Sequence, residues 1–289
     1  MIRHVTVSEM QDYLKDEWRW YAKWVLDRVP RRWSDALILG TMIHDVLESY
    51  FSGGEPILSN AFDGAVVSEK AKRFPDPDHA AAHARALKQL VPLREQILGF
   101  VDLYPVKETL EVEQPFELPL WPSSPPGGRA WVFRGRRDRV VRIFSGDRIA
   151  HMQHKSLAGN KPVDTFVRSL ARSMHETMYG YDLRQRYGDE YAGSIINVIR
   201  KKPGAKGFQA FLPLSPEDLE RAWMRARTIV SRMSYSEAVG REHGIWALVD
   251  NPQNDAGVFG NSLDGYLPVL EGKATLDDDN LYMPREETY

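Results

Sequence analysis

Cysteine is absent from all 289 residues of this chain. That removes disulfides, thiolate zinc sites and cysteine-ligated iron–sulfur clusters from consideration. No apolar run reaches the length of a membrane span, and the opening stretch MIRHVTVSEMQDYLKDEW lacks a signal-peptide core, so a cytoplasmic location without a membrane partner is expected. There is no GxxxxGK[ST] phosphate loop, hence no sign of an ATP-driven motor. Internal repeats and long low-complexity segments are also missing. Nor is there an excess of positive charge: the formal net charge is -2, where many nucleic-acid binders are plainly basic.

What is present fits a soluble globular protein large enough for a sizeable core. A single domain over 1–289 is expected, with a helical part at 1–105, a sheet core at 106–205, and a helix with an irregular tail at 206–289. Charge is unevenly spread. Basic residues gather at Arg28, Arg31 and Arg32, at Arg134, Arg136, Arg137 and Arg139, and at Arg200, Lys201, Lys202 and Lys206, while acids such as Asp277, Asp278 and Asp279 lean to the C-terminus. Any one such run reads equally well as a solvated face.

Residues 7–29 predict a helix rich in aromatics, including Tyr13, Trp18, Trp20, Tyr21 and Trp24, ended by Pro30. These rings have the faces to stack on bases, but their helical spacing favours a packed core. Ser34 is the expected cap of a second helix, which stops at Gly53-Gly54. A long helix with a break near Pro92 follows, then a strand over 107–117. Residues 130–143 and 148–155 predict an antiparallel hairpin about Ser145-Gly146-Asp147. A helix over 163–187, a strand at 193–201, and a helix from Ser215-Pro216-Glu217-Asp218 to about Gly240 complete the pattern, an α/β or α+β domain.

Gln153 and Lys155 stand two apart on a predicted strand and so share a face. Asp138 on the neighbouring strand can join them, and a carboxylate there suits a hard cation such as Mg²⁺. Alternation places Arg134 and Arg136 with Asp138 and turns Arg137 and Arg139 away. On the helix begun at Ser34, His44 and Glu48 are one turn apart on one face, two possible metal-directed groups. His79 and His83 in HAAAH have zinc-helix spacing but lack the glutamate of HExxH, and read as exposed helix residues.

Taken together, these segments resemble one family. GTMIHDVLE resembles the GxxxHxxLE motif of RecB-like nucleases of the PD-(D/E)xK superfamily, GRRDRV their second motif and HMQHKS their (D/E)xK motif. HETMYGY resembles their QxxxY element, with His175 in place of Gln and Tyr179 retained. The resemblance covers roughly residues 7–202, in the right order and spacing. It implies a restriction-endonuclease-like core, a central mixed sheet flanked by helices, with one or two Mg²⁺ or Mn²⁺ ions. By the same resemblance His44, Asp138 and position 153 are metal ligands, with the backbone carbonyl of His154 also in reach. Lys155 assists the nucleophilic water, and Tyr179 and His175 help hold the DNA strand. Arg134 and Arg136 are the expected phosphate contacts.

Two departures stand out. The four cysteines that hold an iron–sulfur cluster in some relatives are missing, and Gln153 supplies a neutral amide where a carboxylate is usual. Gln153 leaves open a natural variant and a Glu→Gln form inactivated at one position. The function implied is a DNA exonuclease acting at duplex ends or on single strands, of the kind bacteriophages pair with a single-strand annealing protein for recombination, in the host cytoplasm. The alternatives are a catalytically inactive DNA-end-binding protein and an endonuclease for flaps or branched DNA.

Overall fold

The computed structural model describes residues 2–30, 34–53, 57–99, 106–121, 130–143, 145–158, 162–202, 204–244, 276 and 282–284. The expectations for Arg31, Arg32, Gly54, the acids at 277–279 and most of the tail beyond 250 lie outside these residues. The N-terminal elements are β1 (Ile2–Val5), α1 (Val7–Lys15), α2 (Glu17–Trp20), a π-helical turn (Tyr21–Val25) and β2 (Arg28–Pro30). A helical group follows: α3 (Asp35–Phe51), α4 (Leu58–Ala71), α5 (Pro77–Leu90), a short 3₁₀ turn (Val91–Leu93) and α6 (Arg94–Leu98). Then come β3 (Val106–Trp121), β4 (Ala130–Ile143), β5 (Arg148–Ala158), α7 (Val163–Leu170), α8 (Met174–Tyr187), β6 (Tyr191–Lys201), β7 (Phe208–Pro213), α9 (Pro216–His243) and β8 (Tyr282–Pro284). Among the described residues no helix is long and apolar enough to cross a membrane.

The chain forms two compact units. The first gathers Met1–Arg32, Glu117–Gly135 and Trp223–Tyr289. Here β1 runs parallel to the opening residues of β4, Ile2 opposite Ala130 through Val5 opposite Phe133. The single N-terminal helix expected over 7–29 is broken at Asp16, whose backbone is extended (φ -165). Its N–H donates to the carbonyl of Asp12, closing α1, and its carboxylate accepts the N–H of Arg19 at 2.7 Å, capping α2. One short acid thus both ends a helix and starts the next. Trp18, Trp20 and Tyr21 are buried, in keeping with a packing role. The Trp20 and Trp24 indoles donate to the buried carboxylates of Glu9 and Asp12.

The second unit, Trp33–Phe116 with Arg136–Ala222, is layered about a mixed sheet. β4 and β5 form the expected antiparallel hairpin, Arg139 opposite Met152 to Ile143 opposite Arg148, with Gly146 at φ +70 in the turn. β5 and β6 run parallel, which requires the crossover that α7 and α8 supply. β7, not foreseen from sequence, adds antiparallel to β6. On one face Leu39, Ile43, Val46 and Leu47 of α3 pack with α4, α5 and Ile199 of β6. On the other, Val167 of α7 meets Leu157, Ile196 and Val198, and Leu183 of α8 meets Val140 and Ile149. Burying each such aliphatic side chain stabilises the unit by about 1.5–3 kcal/mol.

The helix expected over 163–187 is two, because Ser173 stops α7 and its hydroxyl accepts the N–H of Glu176 to start α8. α4 was also unforeseen, its N-cap Ile57 offering no side-chain acceptor. The reading of His83 as an exposed helix residue is corrected: it is buried and bonded through Nε2 to Glu69 of α4 at 2.7 Å. His79 is half-buried against the same Phe74 ring that covers His83.

Two glycines make opposite predictions. Gly193 on β6 has φ +139, and a Cβ there would lie 2.3 Å from the Leu212 carbonyl oxygen. Gly193→Ala is expected to cost about 2 kcal/mol or more. Gly64, inside α4 with open space around it, should gain about 0.5–1 kcal/mol as Ala. Urea unfolding midpoints of the two variants check both signs.

Candidate active site

The site is built from three elements of the second unit. Ser34 caps α3 by accepting the N–H of Leu37, and the buried stripe from Leu39 to Leu47 fixes the rotation of the helix. His44 lies at the margin of that stripe, a quarter exposed. Its Nδ1 stands 3.3 Å from Oε1 of Glu113 on β3 and 3.8 Å from Oδ1 of Asp138 on β4. The three potential ligand atoms all lie within 4.8 Å of one another. Glu113 is a non-glycine residue at φ +48, a left-handed conformation inside a strand that costs about 1–3 kcal/mol.

Electrostatics knit the cluster together. Burial works against a charged His44, but the Asp138 and Glu113 carboxylates outweigh it and hold its pKa above the usual value. Burial likewise opposes the Asp138 carboxylate, but His44, Lys155 and the N–H of His154, donated to Oδ2 at 2.8 Å, hold its carboxyl well below the ordinary range. The second oxygen of Glu113 pairs with Nε of Arg136 at 2.8 Å. One imidazole nitrogen and two carboxylates at this spacing are a donor set suited to a hard divalent cation.

Asp138 lies beside His44, and the Lys155 charge helps to hold the Asp138 carboxyl down. Gln153 does not join them through any described contact. It is fully buried, and its Nε2 donates to Nδ1 of His175 at 3.0 Å and of His151 at 3.3 Å. His154 contributes its N–H to Asp138, while its ring stacks on Phe51 and its Nδ1 accepts from Asn197. Glu48 is outside the triad, and the acid beside His44 is Glu113.

Tyr179 is buried, its hydroxyl accepting the N–H of Arg136 at 3.3 Å and its ring 4.1 Å from that of His175. Arg134 lies 3.9 Å from Glu117. The simple alternation expected along β4 fails at this point. Arg137 and Val140 meet α8 residues, whereas both Asp138 and Arg139 meet residues of α3. Arg139 therefore does not turn away with Arg137: it lies over the Phe51 ring.

Glu113 escaped the sequence reading because Glu111 and Glu113 stand two apart on β3, one face by strand spacing, with equal claims. Only the fold separates them, committing Glu111 to Arg137 and Arg186 and Glu113 to His44.

A family model described as the PD-(D/E)XK nuclease superfamily matches residues 4–243. The chain belongs to the PD-(D/E)XK nuclease superfamily. Nucleases of this superfamily use divalent metals, in accord with the donor set above. Among solved structures, one titled "Putative exonuclease" from Eubacterium rectale is 14% identical with a TM-score of 0.47, over 81% of each chain. No curated protein matches this PD-(D/E)XK chain.

Burial pushes the His151 imidazole down to about 4, against an ordinary value of 6.5. An unfolded histidine therefore takes up a proton in a pH range where the folded one does not, so stability falls as pH drops from 6.5 towards 4. The urea midpoint is expected to decline over that window, and His151→Gln to flatten the decline. Equal slopes in the two proteins would contradict the assignment.

Proposed function

We propose that this chain is a metal-dependent exodeoxyribonuclease of the RecB-like kind, hydrolysing phosphodiester bonds at duplex ends, with Mg²⁺ or Mn²⁺ held by His44, Glu113 and Asp138. The observation that carries the reading is the meeting of one imidazole and two carboxylates from α3, β3 and β4. When bound, the cation lowers the pKa of a coordinated water and offsets charge on the phosphate. Lys155, on β5, is the residue we assign to orient that water. His175, a third exposed, and the partly open guanidinium group of Arg136 are the proposed contacts to the DNA backbone. We assign Tyr179 to holding β4 beside Asp138 through the Arg136 N–H.

Glu113 also bears on Gln153. With a second carboxylate arriving from β3, a neutral residue at 153 does not leave the cation with a single acid, and we read the chain as active. The resemblance to stand-alone nucleases favours duplex ends, and a role in phage-type recombination beside a single-strand annealing protein follows from it.

The test compares linear duplex with covalently closed circles in Mg²⁺ or Mn²⁺. Linear DNA should shorten from its ends while circles stay intact, and Asp138→Asn or His44→Ala should each slow cleavage by at least about 100-fold. Cut circles would make the protein an endonuclease. Cleavage seen only after Gln153→Glu would mark the chain as disarmed, a DNA-end binder.

A further inference from the structure

The middle of β6, Ile195-Ile196-Asn197-Val198-Ile199, is buried throughout, and Asn197 is its one polar side chain. Asparagine is a poor strand residue, and burying it is unfavourable unless its amide is bonded. The register supplies the partners. His154 on β5 and Gln209 on β7 stand directly opposite Asn197, so the three side chains form one rung across the sheet. The Gln209 amide donates to Oδ1 of Asn197, and Nδ2 of Asn197 donates to Nδ1 of His154 at 3.1 Å. From His154 the rung continues through its backbone N–H to Oδ2 of Asp138 on β4 at 2.8 Å. Four strands are thus joined, and the last group is a proposed cation ligand.

The bland explanation is that three buried polar groups merely satisfy one another. An apolar trio would fill the same space about as well, because replacing both partners of a buried hydrogen bond by apolar groups can be nearly neutral. Satisfaction is also incomplete: among the described residues Nε2 of His154 and Oε1 of Gln209 are buried without a partner. What the rung achieves is orientation. An imidazole has two flat orientations about its outer torsion, and a partner at Nδ1 selects one. So held, the His154 ring packs T-shaped against that of His44, centroids 6.4 Å apart at 80°, and stacks with Phe51 at 6.0 Å and 14°. His44 and Phe51 lie two turns apart on α3. His154 therefore meets the helix that carries one ligand through its ring, and the other ligand, Asp138, through its N–H.

We propose that Asn197 is a positioning residue for the cation site and acts through His154. By fixing the His154 ring, it sets where α3 carries His44 relative to Asp138. Gln209, on the strand that extends the sheet beyond β6, holds Asn197 in turn. This rests on the nuclease reading above and deepens it, since neither amide touches a proposed ligand.

The test uses Asn197→Leu, which fills similar space without the bonds. Calorimetric titration should show Mn²⁺ bound about tenfold more weakly, and cleavage of linear duplex should slow by about tenfold or more. His154→Phe keeps the ring and the backbone N–H but has no Nδ1, and it should weaken Mn²⁺ binding likewise. In that background Asn197→Leu should add nothing further. Nuclear magnetic resonance of the metal-free protein supplies a reading independent of activity. A merely structural Asn197 would leave the ring signals of His44 in place, whereas positioning requires Asn197→Leu to shift them.

Unchanged Mn²⁺ affinity with unmoved His44 signals in Asn197→Leu would overturn the proposal. So would an Asn197→Leu effect of equal size with and without the His154 imidazole. Should Asn197→Leu fail to fold, Gln209→Leu on the half-buried outer strand is titrated in its place: weaker Mn²⁺ binding supports the rung, and unchanged binding opposes it. An unaltered protein that binds Mn²⁺ but leaves DNA uncut would sink the nuclease reading alone, because the titration and the ring signals still report on Asn197.

Discussion

Two carboxylates brought together in a mostly dry place repel, and the second unit of this protein is arranged around making that tolerable at Glu113 and Asp138. Each is met by a cation or a donor: His44 touches both, Arg136 takes the outer oxygen of Glu113, and the His154 N–H takes the second oxygen of Asp138. Glu113, the acid that meets His44, also has a left-handed backbone. A divalent cation at this place would take over the neutralising role of the imidazolium, which is why the donor set is more than a collection of ion pairs.

The surrounding packing holds these groups in position. Arg137, nearly without exposure, is fixed between Glu111 and Asp182, so β4 is tied to α8 immediately beside Asp138. Tyr179 secures the same strand one residue earlier. On the α3 side, the Arg139 guanidinium lies over the Phe51 ring, which also stacks with the His154 ring. Burial draws the Arg139 pKa down to about 10 and that of His154 to about 3, so the layer under the site is dry and His154 is neutral at pH 7. Rigid support of this kind is what a reacting centre needs, because small misplacement of a ligand is expensive.

Much of this was legible in the chain. The caps at Ser34 and Ser215, the hairpin at Gly146 and the spacing of His44, Asp138 and Lys155 follow from local chemistry and from motif order. What was not legible depends on the third dimension. Glu113 and Glu111 are equivalent by spacing, and only the folded chain assigns one to His44 and the other to Arg137. Gln153 was expected to face the cation from its motif position, whereas its amide is engaged by His151 and His175, the second of which comes from a different element. Asp16 shows the local version of the same limit: helical propensity on both sides concealed a break made by one side chain.

The account depends on His44, Glu113 and Asp138 forming one cation site, and calorimetric titration with Mn²⁺ examines that directly. The unaltered protein should bind Mn²⁺, and Glu113→Gln should weaken the binding about tenfold or more, as loss of a charged ligand requires. Unchanged affinity in Glu113→Gln would show that the cation, if bound at all, is held elsewhere.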